Sequence, residues 1–585
     1  MKKIYILILT ACVLVSCKKG NFLDDKANTA LTEETVFTDS VQTIRFLTRI
    51  YEDAGFSFNK TGALITEHAT DDGEPNGVQS ANNPSFILSN GLTNSSTLNI
   101  QYWSLPYANI RRVNLLLAKL PNTPLSAQMK KRMAGEAKFL RAWYYHFLLK
   151  YFGGVPLIGD KVYEITDEIN IPRNSWAECI TYVTNELDAA AKELPSVTGY
   201  TDIDYGRVTS GACLALKSRV LLIAASPLFN GGAITTESEL SNIVSYPTYN
   251  VDKWQKAAQA ALDVIQANQY ALNEDNATRP GNGFYQVFLQ RKNSEYIFSF
   301  LRAPNREFET YYNPPTRGGN RTTMPTQNLV DAFPMKDGKF PIKNGVNPTI
   351  GEASKYAYSL NPNPYLNLDP RFYFTIIHNG ATYFLNSSNS QAVVNIYLNA
   401  PTDGFNSTTG PNFTGYYARK MCDENISANS SFNTQRGWPL MRYAEVLLNY
   451  AEAITEAGQP VLAYDAVIAL RRRAGIEAGT DNLYGLKAGM SVTEMREVVR
   501  NERRIELAFE DQRWFDLRRW KLAFTNLNGN FNKAMRITRV GTVNTHEIVN
   551  VISQKIMVFP EQMYLLPIPD AEIRKVSLMR QNPKW

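Results

Sequence analysis

Hydrolysis of a glycosidic bond needs two carboxylates held across that bond. The sequence supplies acids in segments without helical periodicity: Asp71, Asp72, Glu307, Glu309 and Asp331. None belongs to a recognisable acid/base motif, so they read more simply as solvated acids or as acceptors for sugar hydroxyls. The four histidines, His68, His146, His378 and His546, lie far apart and show no HExxH or HxH spacing, which argues against a zinc centre. His146 falls inside an aromatic helical run and reads as a packed side chain. Neither a GxSxG elbow nor a Walker phosphate loop occurs. The stretch from Gly73 to Gly77 reads as a turn. Asp71-Asp72-Gly73 is compatible with a structural calcium, although no Glu completes an EF-hand loop. No other cofactor is indicated.

Binding asks for less than catalysis. A sugar ring stacks its C–H face on an aromatic, and a few polar groups take its hydroxyls. Aromatic residues make up 11% of the chain, with 31 Tyr and 8 Trp, each offering a flat face with a polar tip. An early loop offers Asp71, Asp72, Asn76, Asn82 and Phe86. A middle segment offers Arg306, Tyr311, Tyr312, Arg317 and Arg321, of which the adjacent tyrosines are the best candidate platform. Trp103, just before Leu105-Pro106-Tyr107, reads as a core anchor.

These loops need a frame. Met133, Ala137, Leu140, Tyr144, Phe147 and Tyr151 recur at steps of three or four and mark one helix face, stopped by Gly153-Gly154-Val155-Pro156. Further helices are expected over Trp103–Leu120, Ser175–Leu194, Val208–Ala225, Trp254–Ile265, Leu440–Ile454, Val461–Ala474, Thr493–Phe509 and Trp514–Phe524. Large residues facing small ones across the Gly458-Gln459-Pro460 turn resemble a tetratricopeptide-type hairpin. Between Leu272 and Trp438 the periodicity fades into Gly, Pro, Asn, Ser and Thr, with β-like runs at Tyr296–Phe300 and Phe372–Ile377. The expected fold is mainly α: a tetratricopeptide-like helical-hairpin scaffold with long loop-rich insertions and a few short β-strands. The expected division is 1–16 as leader, 17–271 as N-terminal helical region, 272–438 as variable insertion and 439–585 as C-terminal helical region. Glu497/Arg500, Arg503/Glu506 and Glu510/Arg513 are spaced three apart and are expected to lace a helix surface with ion pairs.

Composition narrows the class. With 585 residues, 44% hydrophobic and 20% charged, the chain is ordinary globular protein. A net charge of +6 without a basic stripe disfavours nucleic-acid binding. Met1-Lys2-Lys3 followed by the apolar run Ile4 to Val15 fits a secretory signal and is too short to span a bilayer. Leu14-Val15-Ser16-Cys17 resembles a lipoprotein box, which makes Cys17 the expected acylation site. Cys179, Cys213 and Cys422 are too scattered for a disulfide framework; they read as buried thiols, or as one bridge with one left over.

Five segments carry a family resemblance. Lys138-Phe139-Leu140-Arg141-Ala142-Trp143-Tyr144-Tyr145 and Tyr151-Phe152-Gly153-Gly154-Val155-Pro156-Leu157-Ile158 come first. Arg442 to Ala453, the Glu502-Arg503-Arg504-Ile505-Glu506-Leu507-Ala508-Phe509-Glu510 run with Arg513 to Trp520, and Leu566-Pro567-Ile568-Pro569 with Gln581 to Trp585 follow in order. Together with the leader, they resemble the SusD/RagB family across almost the whole chain. The resemblance implies a non-enzymatic lipoprotein on the outer face of the outer membrane. It implies delivery of oligosaccharides, or in some members peptides, to a SusC-like TonB-dependent transporter. The nearest competing reading keeps the fold and partner but takes a peptide or glycopeptide; a surface glycosidase and a purely structural helical adaptor are the others.

Overall fold

The computed structural model describes residues 32–58, 65–77, 83–164, 166–232, 234–340, 363–405, 412–551 and 556–585. The leader, Cys17 and Asn82 lie outside the described residues.

The molecule is built on helices that pack against one another nearly in chain order: α1 (Ser40–Ala54), α2 (Gln101–Lys119), α3 (Ala127–Phe152), α4 (Trp176–Glu193), α5 (Ser210–Ala225), α6 (Asp252–Gln266), α7 (Tyr443–Glu456), α8 (Tyr464–Arg473), α9 (Val492–Glu506) and α10 (Arg513–Arg519). Helix α2 packs on α3, α3 on α4, α4 on α5, α5 on α6, α6 on α7, and α7 on α8 and α9. Several starts are fixed by side chains that take up otherwise orphaned N–H groups. Ser175/Glu178 and Ser491/Glu494 form reciprocal capping boxes at α4 and α9, and Ser126 caps α3.

Helix α3 is the axis of the core. From Phe139 to Leu149 every residue is buried, because neighbours cover it on more than one side. It stops where the sequence requires. Gly153 adopts φ +79°, and a Cβ on Gly154 would lie 2.2 Å from the Asn174 carbonyl oxygen and 2.5 Å from that of Ile243. Gly154 also donates its N–H to Ile243 at 2.7 Å. Gly154→Ala is therefore expected to lower unfolding free energy by about 2–3 kcal/mol, read as a lower denaturant midpoint.

The strands are short and pair antiparallel in twos: β1 (Gly73–Pro75) with β3 (Thr323–Pro325), β2 (Tyr296–Leu301) with β8 (Gly437–Arg442), β4 (Ile376–Ile377) with β7 (Tyr417–Ala418), β5 (Thr382–Leu385) with β6 (Ser390–Val393), and β9 (Lys533–Val540) with β10 (Val543–Asn550). Phe298 of β2 meets Phe139 and Trp143 of α3 edge-on at 5.3 and 5.1 Å, which seats the middle segment on the core.

Some expectations are corrected. Phe372–Thr375 is helical, not extended, because Asp369 caps a turn beginning at Pro370; only Ile376–Ile377 form a strand. Gly73–Pro75 is a strand whose partner begins at Thr323, far along the chain, rather than a local turn. The expected division after Trp438 falls inside β8. Leu440 belongs to that strand, and α7 begins at Tyr443.

The charged C-terminal helices depart most from the expected surface lacing. Of the three expected pairs, Glu497 and Arg500 alone sit together, at 4.0 Å. Arg503 instead reaches Asp516 at 2.8 Å, and Glu510 reaches Arg442 and Lys420, both at 2.7 Å. Glu506 is fully buried among Arg371 (2.9 Å), Arg442 (2.8 Å) and Arg473. Around it Arg371 also binds Asp369 and Glu502, Arg442 and Arg473 both bind Glu295, and Arg471 binds Glu502. Five cations and five carboxylates thus neutralise one another inside the protein, where an unpaired charge would cost several kcal/mol. Asp369, Arg371 and Lys420 come from the loop-rich middle segment, so this cluster joins that segment to the C-terminal helices.

Candidate functional site

The early and middle loops, far apart in sequence, meet in the fold. Gly73, Glu74 and Pro75 pair with Pro325, Met324 and Thr323. Thr326 donates its N–H to the Asp72 carbonyl at 3.1 Å and its hydroxyl to the Asp71 carbonyl at 2.5 Å. At the outer end, Asn76 donates from Nδ2 to the Asn320 carbonyl at 2.8 Å. The next link runs inside the middle segment: Thr310 and Tyr311 carbonyls accept from the N–H groups of Asn320 and Thr322, both at 2.7 Å, closing the 313–321 loop. A third links Asn305 to Thr434 through two backbone bonds of 3.0 and 2.9 Å. That brings in the polar Asn429–Asn433 stretch, which holds Phe432 74% exposed.

Beneath this face the acids are locked. Arg513 forks onto Asp71 with two 2.8 Å bonds, and Arg504 binds Asp72 at 2.6 and 2.8 Å. Burial works against the Asp71 carboxylate, but Arg504 and Arg513 outweigh it and hold its pKa far below the usual range. For Asp72, burial and the neighbouring Asp71 charge raise the pKa despite Arg504. Glu74 is buried with an Asn532 amide at 2.8 Å, and burial pushes its pKa up to about 8. His68 is buried with Nε2 3.0 Å from the Thr323 hydroxyl.

The sequence candidates therefore separate. Asn76, Arg306, Tyr311 and Arg321 are part-exposed on the joined face. Arg321 holds φ +44°, a left-handed backbone uncommon outside glycine, and its charge acts on Asp403 and Tyr417. Asp71, Asp72, Phe86, Tyr312 and Arg317 are buried and do not line it. Phe86 and Tyr312 are apolar enough to be drawn into the core, where Tyr312 meets Phe308 and Phe509 at 5.8 and 6.4 Å. Arg317 ties its loop to the β5–β6 hairpin instead, donating to the Tyr383 and Ala392 carbonyls at 3.2 and 2.7 Å, beside Asp403 at 3.5 Å. The tyrosine pair is thus not a joint platform; one ring faces in. Sequence reasoning passed over Phe432, whose signal was a single large apolar residue inside an Asn/Ser run. It also missed Arg302, whose guanidinium lies 4.4 Å above the Trp438 ring.

The other candidate acids are each engaged by a neighbouring side chain. Glu309 is buried on Arg436 at 2.9 and 3.1 Å, and Asp331 accepts from Gln327 at 2.7 Å. Glu307 lies 3.5 Å from Arg302. Arg504 and Arg513 supply the positive charge a calcium at Asp71-Asp72 would bring, and among the described residues no three His, Cys, Asp or Glu side chains gather in a metal-binding group. Cys179, Cys213 and Cys422 are free, buried thiols. Trp103 is buried, stacked edge-on to Phe152 at 5.2 Å, and its rim borders an apolar cleft of about 260 Å3 with Tyr107, Pro156 and Met579.

Residues 263–585 match a family described as "SusD family", and residues 21–222 match one described as "Starch-binding associating with outer membrane". SusD-like protein P38 of Formosa agariphila is 25% identical over 445 residues, 74% of each chain. Two solved structures from Bacteroides fragilis NCTC 9343 share the fold. A SusD-like protein gives a TM-score of 0.76 at 25% identity, covering 95% of this chain and 99% of that one. A SusD-like carbohydrate binding protein gives 0.70 at 23% identity, covering 93% and 100%.

Proposed function

The chain belongs to the SusD family, and from that premise we propose that it is a surface lipoprotein that captures oligosaccharides and passes them on unaltered. The observation that carries this reading is the joined loop face. Asn76, Arg321, Tyr311 and Phe432 stand on segments pinned to a rigid helical body, the arrangement in which a binding surface needs little ordering when a ligand arrives. Of the nearby carboxylates, Asp71 is held ionised by Arg504 and Arg513 and so is unsuited to donate a proton, and Glu74, which keeps its proton to about pH 8, is buried against the Asn532 amide. Carbohydrate binding by a relative of the same fold agrees with this.

Association with the outer membrane accords with the family matched by residues 21–222. No helix among the described residues is long and apolar enough to cross a membrane. The anchor of this reading is acyl chains on Cys17, on the strength of the lipoprotein box Leu14-Val15-Ser16-Cys17. A SusC-like TonB-dependent transporter is the expected recipient. A glycan array on the mature chain tests the reading. Phe432→Ala should weaken the strongest hit about tenfold, the loss of one stacked aromatic, without moving the melting temperature. Unchanged affinity, capture of peptides alone, or shortened oligosaccharide products would each reject it.

A further inference from the structure

A second polar recess lies on the helical body, away from the loop face. Helices α4, α5 and α6 enclose a groove of about 370 Å3, within the roughly 300–1,000 Å3 of small-ligand sites. Its floor is apolar: Ile180, Leu221, Ala224 and Ala260. Its rim carries three lysines whose situations differ. Lys217 is neutralised by Asp188, with bonds of 2.7 and 2.8 Å. Lys253 and Lys256 form no ion pair among the described residues, although they lie three apart in the first turn of α6. Like charges at that spacing repel, and the positive end of a 15-residue helix dipole disfavours both. The Lys253 ammonium is held 3.8 Å above the Tyr246 ring, and burial together with Lys256 lowers its pKa. The acids here are Asp252, adjacent in sequence to Lys253, and Asp263, which lines the groove at its Gln259 side and accepts from the Gln259 amide at 2.7 Å.

Most of the remaining polar groups of the rim present oxygen acceptors, with the Tyr246 hydroxyl and the second Gln259 amide proton as donors. Thr181 and Thr184 spend their hydroxyl protons on the Ala177 and Ile180 carbonyls at 2.8 and 2.9 Å, and Gln259 spends an amide proton on Asp263. The two threonine hydroxyls therefore offer a ligand lone pairs, and Gln259 offers its carbonyl oxygen together with one remaining amide proton. Two cations outside any ion pair among the described residues, beside acceptors over an apolar floor, match a molecule carrying one anionic group, several hydroxyl donors and a C–H face. Inorganic phosphate would leave the floor and acceptors unused, and a neutral sugar would leave the cations unpaired.

We propose that this groove binds an acidic sugar, a uronate unit whose carboxylate lies between Lys253 and Lys256 and whose hydroxyls donate to Thr181, Thr184 and Gln259. The assignment rests on this groove alone and is independent of the loop-face reading. Titration calorimetry of the mature chain with a galacturonate disaccharide, set against the neutral galactose disaccharide, tests it. Binding of the uronate only is expected, weakened about tenfold or more by Lys253→Gln with Lys256→Gln and abolished by Lys256→Glu. Phe432→Ala should leave it unchanged, which separates the two sites. Equal binding of the neutral disaccharide, equal binding of inorganic phosphate, or full uronate affinity in the double variant with an unaltered melting temperature would overturn it.

Discussion

Glu506→Ala should lower the unfolding free energy by about 3–5 kcal/mol, the loss seen when one member of a buried ion cluster is removed. The side chain touches Arg371, Arg442 and Arg473 at once, so its deletion strands three guanidinium groups with fewer anions than cations. Burial alone would raise the Glu506 pKa, but those arginines outweigh it and hold the pKa well below the usual carboxylate range. Its contribution is therefore complete above the unfolded-chain value near 4.5 and persists until strongly acid pH. Denaturant titration at neutral pH reads the effect as a lower midpoint. Glu506→Gln, which keeps the shape and part of the hydrogen bonding, should fall between the two. A midpoint for Glu506→Ala equal to that of the native chain would mean that the cluster is not holding the insertion to the helices.

Glu74→Gln should act in the opposite direction and only at higher pH. Burial raises the Glu74 pKa from 4.5 to about 8 in the folded chain. The folded state thus keeps a proton that the unfolded chain releases, and stability declines as pH rises from 4.5 and levels off above 8. The full cost is on the order of 4–5 kcal/mol at about 1.4 kcal/mol per pKa unit. The neutral glutamine escapes it. Denaturant midpoints of the two proteins should coincide near pH 4.5 and separate progressively up to pH 8, the variant being the more stable. Parallel curves across that range would show that Glu74 ionises in the fold as easily as in water.

The helices were legible because large apolar residues recur every three or four positions, even in α3, where the residues between them are buried as well. Tyr144, Phe147 and Tyr151 mark α3 whatever its neighbours are. The same spacing misled for Arg503 and Glu506, since a three-residue interval states which side chains are adjacent on a helix and not what covers them. Their partners, Asp516 on one side and Arg371, Arg442 and Arg473 on the other, come from other elements. The site was half legible for a similar reason. Both loops stood out by composition, but the pairing of Glu74 with Met324 depends on a contact between distant parts of the chain. Nothing local distinguishes Tyr311, which stays part-exposed, from Tyr312, which turns inward; the helix Glu307–Tyr312 separates them by about a hundred degrees of rotation.

The forks from Arg504 and Arg513 onto Asp72 and Asp71 also set an order of assembly. A chain made from its N-terminus delivers those two acids long before either arginine exists. Until residues 504–513 emerge, the pair cannot leave water without a penalty of several kcal/mol per ion. The early strand must wait, solvated, and the surface it completes comes into being only on a finished polypeptide. A C-terminally clipped copy without Arg504 and Arg513 would therefore lack the partners that hold Asp72 and Asp71 beneath the loop face.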